Sequence, residues 1–275
     1  MNEGNAVTEG ITEVNGARLW YQVAGAGPPL VMLHGHLLDS GQWDDQFHEL
    51  AREFRVVRYD ARGFGRSDKP PQPAAFFDDL RTLLMILGIE RAILMGCSGG
   101  GATAIDLALA HPEMVRALVL VDAGLSGYRF SGPPPPRIAA MRDARERGDI
   151  DGAVELGLQV WTDGERRRPD QVDRRARERT REMMTRLLHR PSVPVEVRSL
   201  EPPAVERLAE IRVPALVVVG AEDWQPIQDI AERLAAEIPG ARRLVIPDAG
   251  HHPNLEHPAR FNEAVLAFLR TIPPG

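Results

Sequence analysis

The chain has 275 residues, 33 basic and 39 acidic side chains and a formal net charge of −6. At roughly 100–200 residues per domain that allows one large domain, or one carrying an insert, and 43% hydrophobic with 26% charged residues excludes bulk disorder. The lone Cys97 excludes a disulfide framework or a cysteine-built zinc site.

No apolar run reaches ~18 residues, as a transmembrane helix would need. The polar start MNEGNAVTEG lacks the basic-then-apolar order of a secretory signal. The expectation is a soluble, cytoplasmic protein with room for a large core and with no nucleic-acid or membrane partner. Nothing in the sequence speaks to oligomeric state. Lys69 is the single lysine, and the remaining basic residues are arginines scattered along the chain. That dispersion reads as the stamp of a GC-rich genome rather than of function.

In chain order, 8–14 (TEGITEV) and 18–23 (RLWYQV) flank Asn15-Gly16, a strong hairpin signal between alternating runs. Short apolar strands follow at 30–33, 56–59, 92–97 and 115–121, then at 215–219 and 243–246. Helical stretches at about 42–53, 75–87, 100–110, 227–237 and 259–270 separate them. Continuous apolar strands alternating with helices predict a parallel sheet covered on both faces. Between Ser126 and about Pro203 the alternation stops. This stretch opens near the prolines 133–136 and continues as helix-like sequence. Within it, Val172, Ala176, Met183, Met184, Leu187 and Leu188 share one side of a 3.6-residue period. The opposite side pairs Asp170/Arg174, Asp173/Arg177 and Glu182/Arg186 at i,i+4, the pattern of a solvated structural helix. The predicted fold class is therefore α/β. It has a mostly parallel eight-stranded sheet with an antiparallel N-terminal hairpin, helices on both faces and a helical lid after strand 6. The core would span 1–125 and 204–275, and the lid 126–203.

Gly96-Cys97-Ser98-Gly99-Gly100 lies directly after a predicted strand and opens a predicted helix, matching the Gly-x-Ser-x-Gly nucleophile elbow. Glycines at 96 and 100 relieve the crowding of so sharp a turn. A phosphate loop is excluded, since no Gly-Lys-Ser/Thr follows. Cys97 is a rival nucleophile, but a frame centred on it would need glycine where Met95 stands.

A serine hydroxyl needs a base. Among eight histidines His251 fits best, because Asp248-Ala249-Gly250 leads to it straight from the last strand. Its competitor His252 precedes Pro253 and is held to extended conformations. The supporting carboxylate must fall between 98 and 251 if the chain order is nucleophile, acid, histidine. Asp223 and Asp122 both end strands in that window. Asp223 is preferred, as Asp122 should lie further from the histidine. The N–H groups of His36, after Leu33-His34-Gly35, and of Gly99 would hold a developing oxyanion. The His36 side chain would either line the pocket or stay idle.

These motifs resemble the α/β-hydrolase fold superfamily, in its lid-bearing branch with Ser-Asp-His triads. The likeness rests on His34-Gly35, Asp60-Ala-Arg62-Gly63-Phe-Gly65-Arg-Ser67, Gly96-Cys-Ser98-Gly-Gly100, Gly220-Ala-Glu-Asp223 and Gly250-His251 with Glu256-His257-Pro258. It extends from about 30 to 270 and leaves the insert unmatched.

The resemblance implies catalytic Ser98, Asp223 and His251, backbone oxyanion contacts from His36 and Gly99, and a purely structural turn at 60–67. It implies no cofactor and no metal. It implies hydrolysis of a small to medium ester or lactone through an acyl-enzyme. Carbon–carbon hydrolases and perhydrolases share the triad, and some receptors of this fold keep it with little turnover. Gly99 stands where a bulkier residue is common and should enlarge the pocket floor. Candidate pocket residues are Tyr128, Phe130, Trp161, Met184, Trp224 and His252.

Overall fold

A computed structural model describes residues 7–70, 73–130, 136–191 and 196–273. The strands are β1 (Thr8–Val14), β2 (Ala17–Ala24), β3 (Pro29–Leu33), β4 (Arg55–Tyr59), β5 (Ala92–Cys97), β6 (Val115–Val121), β7 (Ala215–Gly220) and β8 (Arg242–Ile246). They form one sheet in the order β1-β2-β4-β3-β5-β6-β7-β8. Antiparallel pairing is confined to β1/β2 and β2/β4, with every later pair parallel. The hairpin and the parallel sheet are as the alternation of the sequence predicts.

Alternate side chains of each strand feed two separate cores. On one face Val31, Leu33, Leu94, Leu118, Leu120, Val217 and Val219 pack under α2 (Phe76–Ile86), α3 (Gly99–Ala110) and α7 (Gln225–Glu237). On the other, Leu30, Met32, Ile93, Met95, Cys97, Val119 and Val218 meet Trp43 and Phe47 near α1 (Asp44–Leu50). Phe261, Val265 and Phe268 of α9 (Pro258–Leu269) complete that face. Burial on both faces is why these strands read as unbroken apolar runs. No helix among the described residues is long and apolar enough to cross a membrane.

Between β6 and β7 lie α4 (Pro136–Glu146), α5 (Ile150–Trp161) and α6 (Arg174–Leu188). The prolines at 133–135 fall outside the described residues. Ala144, Val154, Leu158, Ala176, Met183, Met184 and Leu188 form a third apolar cluster, into which Leu38 and Leu255 of the main body also pack. The charged side of α6 departs from expectation. Instead of pairing along their own helix at the predicted spacings, most of its arginines reach acids of the main body or of the neighbouring part of the insertion. Arg175 and Arg179 bind Asp45, Arg179 also binds Asp44, and Arg186 binds Asp39 at 2.8 Å. Arg177 meets Asp163 and Glu155. Among the described residues Arg174 alone pairs within the helix, with Glu178 rather than Asp170. Sequence spacing gave only local partners, whereas tertiary packing brought better-placed acids from afar.

The 60–67 segment is a turn tied by its own atoms. The Asp60 carboxylate accepts from the N–H groups of Ser40 and Arg66, both at 2.8 Å, and from Arg66 Nε at 2.9 Å. Ser67 Oγ donates to the Asp60 carbonyl at 2.5 Å. Arg62 is buried in a two-bond pair with Asp79, at 2.7 and 2.8 Å.

Candidate active site

Ser98 sits between the end of β5 and the first turn of α3 with φ 51 and ψ −118, a conformation that costs a non-glycine residue about 1–3 kcal/mol. The chain around it leaves no room for side chains. A Cβ on Gly96 would lie 2.7 Å from the Gly101 nitrogen, and one on Gly100 would lie 2.7 Å from the His34 carbonyl. Two backbone bonds hold the bend: Ser98 N–H to Val121 O at 3.0 Å and Gly124 N–H to Ser98 O at 2.8 Å. Cys97 points into the core on the α1/α9 face and is fully buried, and burial pushes its thiol far above the ordinary cysteine range. A thiol kept protonated is a poor nucleophile. Its sulfur lies 3.8 Å from the His251 carbonyl, so the turn and the histidine loop adjoin.

His251 Nδ1 is 2.7 Å from Asp223 Oδ2, and both side chains are almost wholly buried. Asp223 Oδ1 also accepts from Trp224 N–H at 2.7 Å. Burial pushes the Asp223 carboxyl up to about 7, against its hydrogen bonds from Asp122 and Trp224, and burial lowers His251. A neutral imidazole held by a carboxylate is the state a general base requires.

Asp223 rather than Asp122 bonds the histidine, in keeping with the preference read from the sequence, yet Asp122 belongs to the same buried cluster. Strands β6 and β7 are neighbours, so Asp122 N–H bonds Val218 O and its Oδ1 accepts Gly220 N–H at 2.9 Å. Ligand atoms of Asp122, Asp223 and His251 all lie within 4.8 Å of one another. Burial, and after it the Asp223 charge, hold the Asp122 carboxyl in its protonated form. Three such groups invite a metal reading. Yet the 2.7 Å between His251 and Asp223 is a hydrogen bond, whereas two ligands of one tetrahedral zinc stand about 3.3 Å apart. The donor set does not fit a metal in this arrangement.

The loop that carries His251 is fastened from the insertion. Its N–H donates to Trp161 O at 3.0 Å, at the last residue of α5. Gly250 N–H donates to Glu256 Oε1 at 2.7 Å, and Glu256 is paired with buried Arg167 at 2.7 Å. Arg167 also donates to the carbonyls of Thr162, Asp163 and Asp248. Nothing in the sequence marks Arg167 among so many arginines. His252 is buried edge-on against His251, with ring centroids 5.2 Å apart, and its Nδ1 has no hydrogen-bond partner.

The 34–36 loop abuts the serine, and a Cβ on Gly35 would stand 3.4 Å from Ser98 Cβ. His34 bridges from this loop to the 60–67 turn, with Nδ1 against Gly35 O at 2.8 Å and Nε2 accepting Ala61 N–H at 3.0 Å. Among the described residues, no protein acceptor engages the N–H of His36 or of Gly99. Gly99 does not enlarge the pocket floor as its small size suggested. The His36 imidazole takes that space, and a Cβ on Gly99 would come within 2.6 Å of its Cε1. The ring stacks on Phe64 at 5.5 Å and leans on Phe76 at 5.8 Å. Burial, with a smaller push from His34, lowers its pKa to about 4, so it is uncharged at neutral pH.

Four of the six expected pocket residues form a continuous aromatic run from His251. Trp161 lies 4.9 Å from the His251 ring and Trp224 lies 6.2 Å from Trp161. Phe130 stacks on Trp224 at 5.1 Å and Tyr128 meets Phe130 at 5.5 Å. Met184 is a correction. It is 1% exposed, inside the apolar cluster of the insertion, and its sulfur would lie 3.2 Å from a Cβ on Gly157. Its helical periodicity marked core rather than pocket.

A parallel sheet whose central strand ends in a strained serine at a helix N-terminus, with a histidine–aspartate pair on the loops of the neighbouring edge, is the architecture of an α/β hydrolase. Residues 30–264 match the model of the Alpha/beta hydrolase family, and the chain belongs to that family. It is similar to the pimeloyl-[acyl-carrier protein] methyl ester esterase of Pectobacterium atrosepticum, at 30% identity over 92% of this chain and 99% of that protein. It is also similar to a 2-hydroxy-6-oxononadienedioate/2-hydroxy-6-oxononatrienedioate hydrolase of Burkholderia vietnamiensis, at 32% identity over 97% of this chain and 94% of that one. Among solved structures, the enol-lactonase of Burkholderia xenovorans superposes with a TM-score of 0.77 at 26% identity, covering 95% of this chain and all of that one.

Proposed function

We propose that the protein is a serine hydrolase that cleaves a small to medium carboxylic ester or lactone through an acyl-enzyme. The observation that carries the reading is the 2.7 Å bond from His251 to Asp223, on a loop touching the strained turn of Ser98. His251 Nε2 takes the Ser98 proton as Oγ attacks the carbonyl carbon. The N–H groups of His36 and Gly99 hold the resulting oxyanion, a contribution worth several kcal/mol in such sites. The carbonyl re-forms as the leaving alcohol departs with the proton from His251. Water, deprotonated by the same imidazole, then releases the acid. Asp223 fixes the imidazole tautomer and stabilises its cation. The helices α4–α6 act as a lid over this site, with the aromatic run from Trp161 to Tyr128 as one wall.

The similar proteins include an ester hydrolase and a lactonase, which supports ester chemistry. The test is a fluorophosphonate label with peptide mapping. Ser98 should carry the adduct, and Ser98→Ala should lower turnover of an activated short-chain ester by several orders of magnitude. Labelling elsewhere, or wild-type turnover in the variant, would remove the proposal.

A further inference from the structure

A hollow of about 320 Å³ is lined in part by His36, whose ring also stands against Gly99. Leu37, Phe64, Phe76, Leu187 and Val197 give it apolar walls, and Arg62, Lys69 and Arg145 also line it. Lys69 lays its aliphatic stem across Gly63, whose absent Cβ would fall 3.2 Å from Lys69 Cγ. The ammonium lies near the guanidinium groups of Arg145 and Arg190, and burial together with their charge lowers its pKa. The nearby acids are engaged elsewhere, Asp68 with Arg18 at 2.9 Å and Asp79 with Arg62. Arg190 spends its donors on the carbonyls of Gly65 and Ser67. Among the described residues neither Lys69 nor Arg145 has a carboxylate within ion-pair distance. Arg62, 4% exposed, keeps one guanidinium nitrogen, Nη1, without a partner. Like charges gathered in a half-buried apolar hollow repel one another unless an anion joins them.

We infer that Lys69 and Arg145 bind a carboxylate on the substrate, so that the ester or lactone hydrolysed here is an anion whose charged end lies in this hollow. The inference rests on the serine-hydrolase reading for its reaction but not for its binding site. His36 borders both the hollow and Gly99, so such a substrate carries a chain of a few carbons between its reacting carbonyl and its charged end. The apolar walls take that chain and the cations take its end, which gives the site direction as well as affinity.

The experiment uses the full chain and matched probes. Turnover of mono-4-nitrophenyl glutarate is compared with that of 4-nitrophenyl valerate, and 4-acetoxybenzoate with 4-acetoxybenzamide, placing the charge on either side of the ester. One anionic member should be preferred in kcat/KM. Lys69→Met or Arg145→Gln should each shrink that preference about tenfold or more, whereas Lys69→Arg should largely keep it. Binding is read separately: monomethyl glutarate, and not methyl valerate, should raise the Tm of Ser98→Ala, and the shift should vanish with Lys69→Met added. Equal rates within both pairs, preferences insensitive to the two variants, or no anion-dependent Tm shift would overturn the inference and leave the serine reading intact. An anion-dependent shift without any Ser98-dependent turnover would do the reverse.

Discussion

Asp122 and Asp223 direct two carboxyl groups at one imidazole, although only Asp223 bonds it. Adjacent parallel strands end at the same edge of the sheet, so an aspartate after each arrives at the same place. Two buried carboxylates so close cannot both ionise, and the proton resides on Asp122, which lies in the more enclosed position. Asp122→Asn imitates that protonated state and should hold kcat within about threefold. Asp223→Asn should cost about 10³-fold or more, by loss of the imidazole tautomer. In the double variant the residual activity should fall further, because Asp122 can ionise once Asp223 no longer does. Steady-state rates of the three variants on one activated ester check the order.

Gly99 and His36 share a single side-chain volume. Gly99→Ala drives a methyl into the imidazole and should destabilise the fold by about 1–3 kcal/mol while lowering kcat. Adding His36→Ala should recover a good part of both. Denaturant midpoints and rates for the two single variants and the pair decide it, and a pair no better than Gly99→Ala alone would refute the shared volume.

Arg167 and Glu256 form a buried pair that braces the loop of His251. Arg167→Met leaves the Glu256 carboxylate without its partner and should cost about 3–5 kcal/mol of stability. Because Arg167 also holds Asp248 and Thr162 carbonyls, kcat should fall more than KM rises. Thermal melts and full kinetics would show both effects.

The pH dependence has a definite sign. His36, His251 and His252 all have folded pKa values below their unfolded ones, His36 at about 4. Between about pH 6.5 and pH 4 the unfolded chain therefore binds more protons, so stability from these groups is present above pH 6.5 and is lost as pH falls. Asp106, raised to about 6 by burial, works the other way over the same interval. Replacing His36 with Gln should flatten the acid loss, and replacing Asp106 with Asn should steepen it. Tm against pH for each variant gives the slopes. The acid limb of kcat/KM should lie below the ordinary imidazole value, since burial keeps His251 neutral.

Most of this architecture was legible in the sequence, because its signals are local. Burial on both faces writes strands such as β5 as the unbroken run AILMGC, and the elbow needs its glycines within five residues of one another. What the sequence hid depends on relations across the chain. Asp122 was set aside as the acid further from the histidine, and its carboxyl nonetheless joins the same buried cluster. The His36 ring fills the gap at Gly99 from 63 residues away in the chain, and Arg167 is indistinguishable in type from the arginines around it. Arg177 and Arg186 were assigned partners by spacing, and acids from outside the helix displaced those partners. Met184 obeyed the helical period, but a period reports which face is buried and not what it is buried against.

Because Trp161 and Arg167 hold the histidine loop through its own backbone, the C-terminal end of α5 is a pier rather than a drawbridge. Raising it would strip His251 of its support at the moment of admitting a guest. On the proposed lid reading, entry and competence are thereby made mutually exclusive at that corner.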